Sequence, residues 1–510
     1  MIQVCGQNIT IEDVYQVAHH KKPVELTLEA REKMQISRAY IEKRLESDEA
    51  IYGVNTGFGH FSDVKISHEQ IIELQKNLIR SHCMGIGDPF TKEETRAIML
   101  LRANALARGH SGIRPLVVDT ILNYLNSDIV PVIPQKGSVG ASGDLAPLSH
   151  LALAIIGEGK VWGDNGDVVP VSQLLSQKNV QPLELQAKEG LSMINGCQVM
   201  TAVGLLNLYR GRRLMWLADL SGAMTLEALK GTRSAFDPLI SATRPHPGEA
   251  KTARNILKLM GETSPISESH IDCGRVQDAY SLRCIPAVHG AAKDSFRHIL
   301  KVLETEANSS TDNPLVFAED GKILSCGNFH GEPVAYALDF AAIAMSGIGN
   351  ISECRIEKMI NPSMSSLPAF LAPEGGLNSG HMIVQVAAAS LVSENKILSH
   401  PASVDSIPTS ADKEDHVSMG TIAARKFGSI VDNTEHIIAM EMLSSTQALD
   451  MIKPLEPAAA VKATFDKIRE TVPFAEKDRV FSDDVQNIQK LINDDSIFQT
   501  VHSCVGELEW

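Results

Sequence analysis

The segment Gly140-Ala141-Ser142-Gly143-Asp144-Leu145-Ala146-Pro147-Leu148 sets three small residues between two apolar stretches. As an isolated turn it would feed a helix, with Asp144 as the cap. The same residues also permit a reaction of the main chain. In a tight enough turn the amide nitrogen of Gly143 can attack the carbonyl carbon of Ala141, closing a five-membered ring with loss of one water. Ser142 then loses its hydroxyl as a second water and becomes an exocyclic methylene. Gly143 has no Cβ to obstruct its nitrogen and tolerates strained backbone angles. Ser142 supplies the leaving group, and Ala141 is small enough for the compression. The product is a strong electrophile, which no ordinary side chain provides.

Other blocks carry groups that could surround such a centre. Tyr52-Gly53-Val54-Asn55-Thr56-Gly57-Phe58-Gly59 is a glycine-rich loop, and Leu191 to Gly196 ends on Asn195-Gly196. In Arg275–Cys284, Gln277, Tyr280 and Arg283 are spaced i, i+3, i+6, so neighbours in the series would share a face if the segment were helical. The planar fork of Arg283 suits a carboxylate. A free phenol titrates near 10, so Tyr280 acting as a base would need a depressed pKa. Two further blocks are Gly327-Asn328-Phe329-His330-Gly331-Glu332-Pro333 and Thr409–Met419, which contains Glu414. Generic motifs fail. Gly140–Asp144 is not G-x-S-x-G, Lys136-Gly137-Ser138 lacks the Walker order, and H-E-x-x-H is absent, so no metal site is expected.

The elements that must position these groups read as mostly α-helical. Thr10 caps an expected helix from Ile11, and capping boxes at Ser67/Gln70 and Thr91/Glu94 open two more. Proline is missing from Leu183 to Asp237, from Val334 to Asn361 and from Thr409 to Lys453. Helices that long and apolar pack as a bundle. Residues 131–149 hold three prolines and three glycines, which predicts a loop tied into the interior. Short hairpins are expected around Gly6-Gln7-Asn8, Asp164-Asn165-Gly166 and Asp320-Gly321. The domain division expected is 1–198, holding the Ala-Ser-Gly loop, and 199–510, the long-helix bundle.

Bulk properties narrow the function. A chain of 510 residues with 44% hydrophobic and 21% charged residues is ordinary globular protein. Its net charge of −15 disfavours nucleic acid as a partner. No run reaches 18 apolar residues, so no membrane span is expected, and MIQVCGQNIT shows no signal peptide. Eight cysteines without a C-x-x-C pair read as reduced thiols of a cytoplasmic protein.

These ordered blocks resemble the aromatic amino acid ammonia-lyase family, and the resemblance spans nearly the whole chain. It implies a helical fold similar to fumarase and aspartase, and homotetramers whose active sites draw on three chains. It also implies a methylidene-imidazolone (MIO) prosthetic group built from Ala141, Ser142 and Gly143, with no metal or soluble coenzyme. By resemblance, Tyr52 belongs to a loop covering the site and takes part in acid/base chemistry or ring formation. Asn195 would bond the imidazolone oxygen, Phe329 would pack near the ring, Tyr280 would be the general base and Glu414 a carboxylate beside the substrate ring. Arg283 would bind the substrate carboxylate, with Gln277 beside it.

The family divides by the pair that meets the substrate side chain: Phe-Leu for phenylalanine, His-Leu for tyrosine, Ser-His for histidine. This chain has Ser81-His82. An imidazole has two nitrogens to satisfy, and His82 with Glu414 would meet them, whereas a phenyl ring would leave both side chains unpaired. The expected reaction is elimination of ammonia from L-histidine to give trans-urocanate. The alternatives are a tyrosine or phenylalanine lyase, or a 2,3-aminomutase, of the same family. A fumarase-type enzyme would leave Ala141-Ser142-Gly143 unexplained, and a non-enzymatic scaffold would leave all the candidate groups so. One departure is Asp412-Lys413, where histidine-specific members commonly have Asn-Gln.

Overall fold

The computed structural model describes residues 1–46, 51, 53–57, 66–67 and 70–510. It is mostly helical, and its only sheets among the described residues are four of two strands each. Four long helices dominate: Gln198–Ala228, Ile285–Ala307, Glu332–Ile360 and Gly420–Met451. Gln198–Ala228 and Gly420–Met451 lie within the proline-free windows, and Glu332–Ile360 does so after Pro333 in its first turn, so nothing interrupts their backbone hydrogen-bond ladders. Glu332–Ile360 is long and apolar enough to cross a bilayer, yet most of that stretch is buried within the fold.

The chain folds as two compact units, each assembled from separate stretches. The first comprises Met1–Tyr209, Ile299–Asp339 and Pro401–Gly428, so it combines the N-terminal part with two later segments. The second comprises Arg210–His298, Phe340–His400 and Ser429–Trp510.

In the first unit, Thr10 and Thr91 each form a complete capping box, with Asp13 and Glu94, at the heads of Ile11–His20 and Lys92–Ala107. The helix after Ser67 starts at Ile71, and Ser67 Oγ bonds Gln70 Oε1 at 3.1 Å rather than a main-chain amide. The hairpins Lys160–Trp162/Val168–Pro170 and Leu315–Phe317/Lys322–Leu324 form as expected, with Gly166 and Gly321 at positive φ. The hairpin expected at Gly6-Gln7-Asn8 does not form. Ile2–Val4 pairs in parallel with Val24–Leu26, because the capped helix Ile11–His20 carries the chain back before a second strand begins. Of the loop expected over residues 131–149, the part up to Asp144 forms, broken by one short strand, Pro134–Lys136, that pairs with Ile86–Pro89. From Leu145 the chain is already in the helix Leu145–Ile155, because Pro147 falls in its first turn, where a missing N–H costs nothing.

The second unit is held by buried polar clusters inside apolar packing. Ile356, Ala388 and Ile437 form one core group. Glu441, fully buried, is gripped by Arg355 through both oxygens and accepts from Ser221, Thr225 and Ser352. Asp219 is likewise buried with Lys293, His289 and Asn255 around it. Such charges persist inside a protein only when paired and hydrogen-bonded. All eight cysteines are free thiols.

Candidate active site

The Ala141-Ser142 turn is pinned on both sides by main chain. Gly140 and Gly143 bridge each other across it, and Gly143 also bridges Gly196. Gly143 has φ +71, and a Cβ there would stand 2.2 Å from the carbonyl oxygen of Gly196. That neighbour is backbone and cannot give way, so only glycine fits. On the opposite side Met419 N donates to Val139 O at 2.9 Å, and Ser418 Oγ donates to Gly140 O at 3.3 Å. Ala141 packs with Val417 and Met419 beneath the turn.

Asp144 does not cap the helix it precedes. Its carboxylate accepts from Val199 N at 2.9 Å and Met200 N at 3.0 Å, at the head of Gln198–Ala228. Thr421 Oγ1 and, at 3.3 Å, Ser138 Oγ complete its shell. The Asp144 side chain thus ties the turn to the heads of Gln198–Ala228 and Gly420–Met451, while its main-chain N donates to Gly196 O at 2.8 Å. Burial pushes Asp144 up to about 6, although all four of these donors pull the other way.

Glu414 reaches the turn itself. Ser142 Oγ donates to Glu414 Oε1 at 3.0 Å, while Thr409 Oγ1 and Ser410 Oγ donate to Oε2, each at 2.8 Å. The loop between is a run of left-handed residues, Ser410, Ala411 and Asp412, closed by a bridge between Thr409 and Glu414. Asp412 lies at φ 63, a region asparagine and aspartate both tolerate.

Asn195 is buried with its Nδ2 donating to Asp312 Oδ1 at 3.4 Å and Asn313 O at 3.2 Å; its Oδ1 has no partner. To donate to a ring oxygen, as the resemblance implies, the amide would have to exchange one of those acceptors. Its main-chain oxygen accepts from the fully buried Arg102 at 2.9 Å. Phe329 is half-buried, and its carbonyl accepts from the Cys197 thiol at 3.0 Å.

His82 ends the helix Ile71–His82, which packs on Leu145–Ile155 and Glu189–Ile194. Its Nδ1 faces Leu78 O at 2.8 Å. A carbonyl only accepts, so Nδ1 carries the proton and Nε2 presents a lone pair. Of the glycine-rich loop, Gly53 sits at positive φ against Leu191, while Tyr52 lies outside the described residues.

Gln277, Tyr280 and Arg283 belong to the second unit. The segment is helical only over Tyr280–Arg283, so Gln277 is not on a shared helical face; it is exposed on chain without regular secondary structure. The Arg283 guanidinium lies over the Tyr280 ring, 4.4 Å from its centre, and Arg283 Nε is buried without a partner. Asp278 anchors the segment by accepting from Thr232 N at 2.7 Å and Arg275 at 3.2 Å.

One group of metal-capable side chains occurs among the described residues: His330, Glu332 and His416. His330 Nε2 faces His416 O, so its lone pair is on Nδ1, where it accepts Glu332 N at 3.3 Å. A cation would have to displace that bond. Sequence reasoning missed Asp144's reach to a distant helix, the hydroxyls that orient Glu414, and Arg102. For Arg102 a signal existed: a cation inside the run IMLLRANALA, whose one other polar residue is Asn104.

The geometry fits a backbone-derived prosthetic group: a turn that admits only glycine at 143, a serine hydroxyl bonded to a carboxylate, and an orphaned amide oxygen on Asn195, next to Gly196 in sequence. The family described as aromatic amino acid lyase matches residues 9–470. The chain is 46% identical over 510 residues, all of both chains, to histidine ammonia-lyase of Natranaerobius thermophilus. Among solved structures it resembles histidine ammonia-lyase from Trypanosoma cruzi, with TM-score 0.92 and 42% identity over 99% of this chain and 96% of that one. It also resembles tyrosine aminomutase from Streptomyces globisporus, with TM-score 0.95 and 37% identity over the whole of both. The chain belongs to the aromatic amino acid lyase family.

Proposed function

We propose that this carbon–nitrogen lyase removes ammonia from L-histidine to give trans-urocanate, working as a homotetramer on an MIO group formed from Ala141-Ser142-Gly143. The observation that carries the reading is the Ser142 turn, with Gly143 pressed on Gly196 and the hydroxyl bonded to Glu414. When present, the group supplies an electron sink that the twenty side chains lack. The rest falls to this chain's own residues.

His82 Nε2 accepts a ring N–H of the substrate, its tautomer fixed by Leu78 O. The substrate ring binds as imidazolium, so its second N–H donates to the Glu414 carboxylate, which Thr409 and Ser410 aim. A bare phenyl ring would strand both groups, which supports histidine over phenylalanine. Arg283 binds the substrate carboxylate through its fork, Gln277 assists, and Tyr280 removes the β-proton. Phe329 packs beside the turn, Tyr52 takes part in acid/base chemistry or in ring formation, and Asn195 would bond the ring carbonyl. Asp412 and Lys413 carry opposite charges, so the net charge beside Glu414 matches that of the Asn-Gln pair.

The test is the rise of urocanate absorbance when purified protein meets L-histidine, set against tyrosine and phenylalanine with product identification. Histidine should be the preferred substrate by far. A preference for tyrosine, or a β-amino acid product, would replace this reading with the aminomutase one that the Streptomyces globisporus structure represents.

A further inference from the structure

Behind Phe329 lies a group that the proposed chemistry does not use. Glu306 sits in the last turn of Ile285–Ala307, where the helix terminus disfavours a negative charge. Its Oε1 is buried without a hydrogen-bond partner, and its carboxyl neighbours the Cys197 thiol. That thiol, fully buried two residues after Asn195, donates to the carbonyl of Phe329 at 3.0 Å. The charged groups facing this corner are Asp144, beside Glu306 and Cys197, and Arg102, beside Cys197.

A thiol has one hydrogen, and two acceptors compete for it. While Glu306 is protonated its O–H donates to sulfur, and the S–H is free to hold Phe329 O. Once ionised, the carboxylate is the stronger acceptor and draws the S–H to itself, leaving Phe329 O without a donor. Burial holds Cys197 as a thiol throughout. Burial and the Asp144 charge push Glu306 up to about 7, so the exchange falls at neutral pH. We propose that Glu306 is a positioning residue whose proton decides, through Cys197, how firmly the Phe329 loop is held beside the Ser142 turn. The inference rests on the proposed function only in giving Phe329 a place beside the reacting group.

The test has two arms. The S–H infrared band of Cys197, identified by its loss in Cys197→Ala, should shift as pH crosses about 7 in the wild type and stay fixed in Glu306→Gln. This arm needs no turnover, so it survives failure of the histidine reading. In the second arm, wild-type turnover should fall roughly two- to tenfold above that pH, the worth of one neutral hydrogen bond, and the step should vanish in Glu306→Gln. Cys197→Ala, which leaves Glu306 in place, should also lose the step, and it serves if the glutamine variant does not fold. A band that ignores pH in the wild type, or a step that persists in either variant, would overturn the proposal.

Discussion

Three side chains separate the reaction into parts that single substitutions can read. Ser142 is the source of the electrophile, so Ser142→Ala should cost on the order of 10³-fold or more in turnover while leaving the fold intact by circular dichroism. His82 contributes one lone pair to the substrate ring. His82→Leu should lower kcat/KM for histidine by about 10- to 100-fold, the range for a hydrogen bond involving a charged partner, and raise relative turnover of tyrosine or phenylalanine. An unchanged preference in the substrate panel would show that Nε2 does not read the ring. Arg283→Lys keeps the charge and loses the fork, so KM should rise about tenfold along with a fall in rate. The guanidinium also covers the Tyr280 ring, which is why both parameters should move.

Secondary elements matter here through their ends. The Ser142 turn is stationed by Asp144 on the head of Gln198–Ala228, and Glu414 by a left-handed loop just before Gly420–Met451. Asp144→Ala strands two helix amides and two hydroxyls, and should lower unfolding stability by about 3 kcal/mol in a denaturant titration. What the sequence disclosed about these elements follows from range. Capping boxes at Thr10 and Thr91 and the turns at Gly166 and Gly321 are decided by neighbours within a few residues, and they were legible. The partner of Ile2–Val4 was not, because it lies beyond a whole helix, at Val24–Leu26. Asp144 read as a local cap for the same reason: nothing near it in sequence announces a helix that starts at Gln198. The candidate site residues came as blocks, through resemblance and not through spacing. The Tyr280 block, read as helical spacing, is one short turn preceded by chain without regular structure.

Across the whole molecule, buried titratable groups set opposite pH slopes. Asp144 and Glu306, pushed up to about 6 and about 7, bind more protons folded than unfolded. Their contribution is full below the ordinary carboxylate range and is lost as pH rises through 7. His381, buried in the second unit and pulled down to about 3, does the reverse, losing stability as pH falls below its unfolded value. Thermal melts should therefore show Glu306→Gln flattening the neutral slope and His381→Phe flattening the acid slope. Assembly is tested by complementation. Ser142→Ala and Arg283→Lys, each impaired alone, should regain activity when co-expressed if sites are shared between subunits, and no recovery would argue for self-contained sites. The central claim remains that the main chain at Ala141-Ser142-Gly143 cyclises. Intact mass spectrometry of the purified chain tests it most directly: the account predicts a mass two waters below the translated sequence, restored to the full value in Ser142→Ala, and an undiminished wild-type mass would contradict it.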